Sequence, residues 1–387
     1  MSARRVTILL LLGVLVIAFA IWLSSTRHLE HATLTGDLVL PGLESAVNTV
    51  TEVRLHKGDG TQTTLRKGSS DWIVSERSYP ADSSKVRKLL LDLAALNVVE
   101  EKTRTPENYP QLGVEDVSSP KATGTQVDAV TPTKTYSLIV GKSSSGKSGY
   151  VRVTGRPESL LATPLLSLDP APQRWLDPAI IDIAQERVKE FSVKPASGPA
   201  YTASRDKKEQ QDFKVSDVPK GRELSSPTAA DPIAGSLAGL TLDDVRRAGQ
   251  PANGANASSA SSSTPGATPT PAATPGEHVT FRTFDGLEIE VSGHKEGTRT
   301  FIALTPRSSA KETQAEAANL EARLKGWEFE IPSYKYEGMF RPLEELLKKL
   351  PEPAKSTGKQ GKGHGGAVIP GLPKKSGAAS SSGPGEQ

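Results

Sequence analysis

The sequence predicts an α+β fold: an N-terminal transmembrane helix, then two tandem copies of a strand-rich unit with a packed helix and a β-hairpin. Three observations predict it. Residues 6–23 carry no charge. The string Val50-Thr51-Glu52-Val53-Arg54-Leu55, followed by Asp71-Trp72-Ile73-Val74, is echoed by Val188-Lys189-Glu190-Phe191-Ser192-Val193 followed by Asp212-Phe213-Lys214-Val215. Each pair then leads into a stretch opened by Pro and Asp, with apolar residues at helical spacing. Self-similarity at a fixed separation marks a duplicated structural unit.

At about 1.5 Å per residue, residues 6–23 reach roughly 27 Å as a helix, enough to cross a hydrocarbon core. Arg4 and Arg5 precede the run and Trp22 stands at its far end. The positive-inside rule places the N-terminus in the cytoplasm and the body outside, in the periplasm or its equivalent. Cleavage as a signal peptide is the alternative, since Ala18-Phe19-Ala20 is a small-x-small site. The apolar run continues through Ile21-Trp22-Leu23, which favours a retained single-pass anchor.

The first unit opens with alternation over residues 45–55, a half-buried strand. Lys57-Gly58-Asp59-Gly60 turns it into a return strand over residues 61–66, and residues 71–75 form a third. Asp82 is placed to cap a helix whose Val86, Leu89, Leu90, Leu93 and Leu96 share one face. Tyr136-Ser137-Leu138-Ile139-Val140 and Tyr150-Val151-Arg152-Val153 then flank a Gly/Ser/Lys loop as a hairpin. The second unit has a helix opening at Pro227-Thr228-Ala229-Ala230-Asp231 and running through Ile233, Leu237 and Leu240. A hairpin around Ser292-Gly293-His294-Lys295-Glu296-Gly297 comes next. Each unit then shows a Trp (Trp175, Trp327) and a helical stretch, closing with a helix over residues 342–350.

The expected organisation is therefore a cytoplasmic stub and transmembrane anchor (1–26), a first α+β repeat (45–185), a second α+β repeat (186–350) and a basic tail (351–387). Residues 249–276, Ala/Ser/Pro/Thr/Gly-rich and uncharged, are a disordered insertion in the second repeat; the tail is disordered by composition. The tail holds Lys355, Lys359, Lys362, Lys374 and Lys375 against Glu352 and Glu386, which accounts for the whole formal excess of +3. A charge-balanced body argues against a nucleic-acid partner. The chain has no cysteine, which excludes thiol catalysis, disulfides and Cys-based metal sites.

Gly141-Lys142-Ser143-Ser144-Ser145-Gly146-Lys147-Ser148 matches the phosphate-loop pattern letter for letter. Such a loop wraps phosphates with backbone amides at the start of a helix, with Lys reaching the terminal phosphates and the hydroxyl holding magnesium. Here the next residues alternate as a strand, so a hairpin loop is expected rather than a nucleotide site. The string Leu89-Leu90-Leu91-Asp92, which has the letters of a metal-binding strand, precedes the loop and falls on the amphipathic helix. His28 and His31 flank Glu30 at a spacing that would need a third ligand to hold metal. Glu100-Glu101 and Glu115-Asp116 are adjacent acids whose members point in different directions, as solvated turns and ends do. Trp72, Trp175 and Trp327 suit a sugar platform or a core, and apolar surroundings favour the core. The expectation is no catalytic, cofactor-binding or metal-ligating residue, no cofactor, and no enzymatic activity.

In order, these motifs resemble the family known as domain of unknown function 4340. The resemblance rests on the single anchor, the Val50 and Asp71 strings, the helix opened by Pro80-Ala81-Asp82 and ending at Leu96-Asn97, and Tyr109-Pro110-Gln111-Leu112-Gly113-Val114. Gly141 with Tyr150-Val151-Arg152-Val153, and Gly326-Trp327-Glu328-Phe329-Glu330-Ile331-Pro332, complete it. It spans about residues 45–350, fits the second repeat more weakly, and does not extend to the insertion or tail. The second repeat lacks a counterpart of the Tyr109 element. The resemblance implies a bacterial, membrane-anchored, exported protein, often encoded beside gliding-motility-type ABC transporter subunits, with no established catalytic residue to carry over. The expected function is a non-enzymatic accessory or scaffold subunit of a membrane complex of ABC-transporter type, held to the inner membrane by its N-terminal helix. The alternative is a cell-envelope module that binds polysaccharide or peptidoglycan.

Overall fold

Alternating apolar and polar residues build most of this molecule, so strands dominate. The computed structural model describes residues 36–69, 71–249 and 276–349. The expected membrane anchor, nearly all of the 249–276 insertion and the 351–387 tail lie outside the described residues. Among the described residues no helix is long and apolar enough to cross a membrane.

The first sheet is nine-stranded. It comprises β1 (Glu52–Lys57), β2 (Gln62–Lys67), β3 (Trp72–Val74), β4 (Tyr79–Pro80), β5 (Asn97–Thr103), β6 (Thr125–Val130), β7 (Thr135–Ser145), β8 (Ser148–Val153) and β9 (Ser159–Thr163), in the order β4-β3-β2-β1-β6-β7-β8-β9-β5. Downstream come β10 (Ala179–Ile181), β11 (Val188–Lys194), β12 (Tyr201–Ser204), β13 (Lys214–Val215), β14 (Leu240–Thr241), β15 (Asp244–Arg247), β16 (Glu277–Thr283), β17 (Leu287–Glu296), β18 (Arg299–Ser308) and β19 (Trp327–Ile331). Eight of these form a sheet ordered β13-β12-β11-β16-β17-β18-β19-β15, and β10 pairs with β14 in a two-stranded sheet. The paired strands in all three sheets run antiparallel.

This corrects the expected fold class. The protein is mostly β, with three antiparallel sheets and few, short helices, and tandem α+β units are not what it contains. The helix Ser83–Ala94 forms as its sequence dictates: the Asp82 carboxylate accepts from the amides of Ser84 and Lys85, and Val86, Leu89, Leu90 and Leu93 face the core. The helix expected from Pro227 to Leu240 shrinks to Asp231–Ala234 and a 3-10 turn, Gly235–Leu237. Pro232 fits only a first turn, and Gly235 and Gly239 weaken any continuation of the helix. The closing helix is only Leu343–Leu346. Strands β5, β6 and β9 occupy stretches that carried no strand expectation, and they tip the class. What the two large sheets do share is an order: β13-β12-β11-β16-β17-β18-β19-β15 has the same pattern as β3-β2-β1-β6-β7-β8-β9-β5.

One hydrophobic cluster runs through both sheets. Tyr79, at the edge of the first sheet, meets Trp327 edge-on at 5.1 Å and Phe329 at 6.1 Å, both on β19 of the second. Beside it, Arg77 donates to both carboxylate oxygens of Asp244 at 2.7 and 2.9 Å. The connecting chain is tied back as well: the Asp82 amide donates to the Trp175 carbonyl, and the Asp177 amide to that of Pro80. Trp175 lies buried there, its indole donating to the Asp169 carbonyl at 2.7 Å.

Because Tyr79 is 6% exposed and touches the partner sheet, Tyr79→Ala is expected to lower stability by about 3–5 kcal/mol in urea unfolding. Arg77→Ala should cost about 1–3 kcal/mol through the stranded Asp244. A loss below about 1 kcal/mol for Tyr79→Ala would show that the sheets do not share this core.

Candidate functional site

Ile139 on β7 points away from the main core because Leu138 and Val140 face inward, and side chains alternate along a strand. An outward apolar side chain needs a cover. The turn Tyr109–Leu112 supplies it: Tyr109, Val114 and Ile139 form a satellite cluster, with Leu112 and Tyr150 against it. Gly113 ends the turn at φ 72°, a conformation that favours glycine.

Arg152 fastens this cover. It sits opposite Ile139 in the β7–β8 register and is 4% exposed. Its Nε donates to the Val114 carbonyl at 2.7 Å, one terminal nitrogen to Asp116 at 2.6 Å and the other to the Arg156 carbonyl at 3.3 Å. The guanidinium lies 4.7 Å from the Tyr109 ring centre, and the Tyr109 hydroxyl donates to the Pro157 carbonyl at 2.6 Å. The Lys142 ammonium donates to the carbonyls of Pro110 and Gln111 at 3.1 Å, where a cation suits the exposed carbonyls of a helical turn.

The phosphate-loop-like string therefore belongs to this assembly. Residues 141–148 form the tip and flanks of the β7–β8 hairpin, and strand β8 comes after Lys147 where a phosphate loop needs a helix. Gly141 is required by contact: a Cβ there would lie 2.3 Å from the Leu112 carbonyl oxygen. Lys147 is exposed, and its own carbonyl accepts from the Thr163 hydroxyl at 3.0 Å.

The other sequence candidates scatter. Trp175 and Trp327 are buried, Trp327 under the Arg247 guanidinium at 3.6 Å, while Trp72 is half-buried against the core. Glu100 pairs with Lys102 and Glu101 with Arg104; Glu115 accepts from the Thr123 amide and Asp116 from Arg152. His28, Glu30 and His31 lie outside the described residues. Among the described residues no group of three His, Asp or Glu could hold a metal ion.

Two features had no forewarning in the sequence. On the second sheet, Arg246 holds Glu296 and Glu328, at 2.9 and 2.7 Å, and lies 3.9 Å over the buried Phe301 ring. His294 stacks on the same ring, its Nε2 3.1 Å from both Arg246 and Glu296. The hydrogen bond from Arg246 draws the Glu296 carboxyl down to about 2, against the opposing effect of burial and with help from His294.

The second is a trough of about 870 Å³ at the edge of the first sheet. Its floor is Val98, Val153 and Leu160. One wall is the chain at residues 36–41 and the other the turn Arg156-Pro157-Glu158. The carbonyls held by Arg152 and Tyr109 belong to that turn, so the clamp under the covering element also shapes the trough.

Residues 72–260 match the family described as Domain of unknown function (DUF4340). The match includes Tyr109, Gly141 and Arg152 and ends before β16. No curated protein and no solved structure matches the chain.

Arg152→Met is expected to cost about 2–4 kcal/mol in urea unfolding, because it strands the buried Val114 carbonyl, and Arg152→Lys should not restore it. For Glu296, the unfolded carboxyl titrates near 4.5 and the folded one near 2. Its contribution is therefore present above about pH 4.5 and is lost as pH falls toward 2. Glu296→Gln should flatten the stability profile in that window and lower stability by a pH-independent amount above about pH 5, where the native carboxylate contributes fully; an identical acid limb in the variant would refute the pairing.

Proposed function

We propose that this chain, which belongs to the DUF4340 family through residues 72–260, is a non-enzymatic, membrane-anchored, exported protein that serves as an accessory or scaffold subunit of a membrane complex of ABC-transporter type. The observation that carries the non-catalytic reading is the use made of the one string that resembles chemistry. Strand β8 follows Lys147, the lysine of the pattern, where a phosphate loop needs a helix, while Gly141 gives its space to the Leu112 carbonyl and Lys142 its ammonium to Pro110 and Gln111. Arg152 and Tyr109, two further polar residues of the family-like strings, are likewise committed to holding backbone. A residue whose hydrogen-bonding capacity is taken up by main chain has little left to offer a substrate. The membrane placement is supported by the uncharged run at residues 6–23 behind Arg4 and Arg5. The polysaccharide alternative has lost two of its three aromatics to the core, since Trp175 and Trp327 are buried.

Affinity purification of the full chain from detergent-solubilised membranes is expected to bring down a membrane-embedded transporter subunit. Recovery of no membrane subunit would sink the scaffold reading. Lys147→Ala should leave that recovery and the urea midpoint unchanged, and neither form should bind ATP; nucleotide binding lost on this substitution would overturn the non-enzymatic reading.

A further inference from the structure

We propose that the C-terminal tail of one chain docks on a second copy of this protein. Val368-Ile369-Pro370-Gly371-Leu372 would take the seat that Val39-Leu40-Pro41-Gly42-Leu43 fill in that copy. The two strings differ only in Leu40 against Ile369, and Pro-Gly-Leu occurs nowhere else in the chain. From Pro351 onward, Val368, Ile369 and Leu372 are the only Val, Ile, Leu, Met or aromatic residues. A tail otherwise rich in Gly, Ser, Pro and Lys thus gathers its large apolar side chains into the one stretch that copies a buried segment.

The seat shows why these letters matter. Val39 and Leu40 are each 4% exposed, and Leu43 is 0% exposed. The Val39 amide donates to the Leu96 carbonyl at 2.8 Å and the Val98 amide to that of Asp37 at 2.8 Å. The segment therefore runs antiparallel along the start of β5, with Leu38 facing Asn97. Gly42 then turns the chain at φ 92°, and a Cβ there would stand 3.2 Å from the Tyr136 hydroxyl. Leu43 follows at the head of the turn Leu43–Ala46. Two aliphatic side chains, a glycine and a leucine each answer a requirement of the seat, and the tail supplies all four in order. Proline, with its fixed φ, limits the freedom lost on docking in either string. Asp37 contributes its carbonyl to β5, so Gly366 can stand in its place. The copy departs at Glu44, whose carboxylate accepts from the Gly42 amide at 2.8 Å. Pro373 stands there, and a first helical turn accommodates proline because its amide has no intrahelical acceptor.

In a lone chain the seat is already filled. Exchange between two copies loses and regains equivalent apolar contacts, which makes swapping a low-cost route to association. Each copy offers one seat and one tail, so reciprocal exchange closes a dimer. Local concentration sets how far the exchange proceeds.

The chain has no cysteine, so the register can be tested by introducing two. Ala367 is the tail's counterpart of Leu38, which faces Asn97. Full-length Asn97→Cys and Ala367→Cys chains, carrying different tags, are mixed and oxidised. A disulfide joining position 97 of one chain to position 367 of the other is expected, since facing strand residues lie within bridging distance. Gly371→Val in the tail-cysteine chain should cut its yield about tenfold, by forcing a branched residue into the left-handed turn. Ala378→Cys, beyond the copied string, should give only the background of random collision. Equal yields from Ala378→Cys and Ala367→Cys, or a yield indifferent to Gly371→Val, would overturn the docking. If Asn97→Cys does not fold, a fluorescent peptide of residues 364–376 and the unsubstituted full chain read the same seat. Saturable binding is expected, weakened about tenfold in the Leu372→Asp peptide. No binding, or equal binding by both peptides, would overturn it as well.

Discussion

The buried guanidinium of Arg152 is the interaction on which the recognisable parts of this molecule depend. A charge taken out of water is costly unless its donors all find acceptors. Here the acceptors are chiefly backbone carbonyls, of Val114 and Arg156, while its charge partner Asp116 is 65% exposed. The planar fork reaches three acceptors in two chain segments at once, a geometry that a lysine does not match. The same solution recurs on the second sheet. Arg205, also 4% exposed, donates to the carbonyls of Val188, Gln185 and Gln210 and lies over the rings of Phe213 and Phe284. In both cases an arginine gathers backbone carbonyls from segments that flank its sheet.

From Arg152 the dependence runs outward. Without it, the turn carrying Tyr109 loses the bond that seats Val114 over Ile139, and an outward apolar patch is left facing water. Lys142 and Gly141 then have nothing to cap or to give room to. The wall of the trough at Arg156 and Pro157 loses its supports. Gly141 is demanded by a close approach and Lys142 by carbonyls, and the rest of the string, Lys147 included, turns a hairpin.

Legibility in the sequence depended on the range of the interactions. The helix Ser83–Ala94 could be read because its cap and apolar face are local. The hairpin at residues 141–148 could be read because β8 alternates. Strand β9 could not: Leu160, Leu161 and Ala162 are apolar in succession, although only Leu160 and Ala162 join the core. Strand β6 sat in a stretch that carried no strand expectation, although Val127 and Ala129 face the core, and its pairing with β1 is set at long range. The missed strands are what turned an expected α+β protein into a mostly β one. The clamp was illegible for a further reason: backbone acceptors leave no letter in a sequence, so nothing in Tyr150-Val151-Arg152-Val153 announces that Arg152 points inward.

The two large sheets differ most in what their outer faces carry. On the first, Ile139 and Tyr150 require a covering turn and obtain one from the segment between β5 and β6. On the second, the outward positions of β17 are Glu288, Glu290, Ser292, His294 and Glu296, and neighbouring strands answer them with charge. Arg282 pairs with Glu190 and Glu288, Arg307 with Glu290, and Arg246 with Glu296 and Glu328. Cross-strand pairs of this kind fix register, because a slip of one residue would turn every acid into the core. They also let that face do without a lid. A common strand order thus supports two different surfaces, and on the covered one the clamp that seats the cover also shapes the β8–β9 turn that walls the trough. The specialisation lies in side chains on a shared topology, which is why the strand order alone says so little about what either sheet binds.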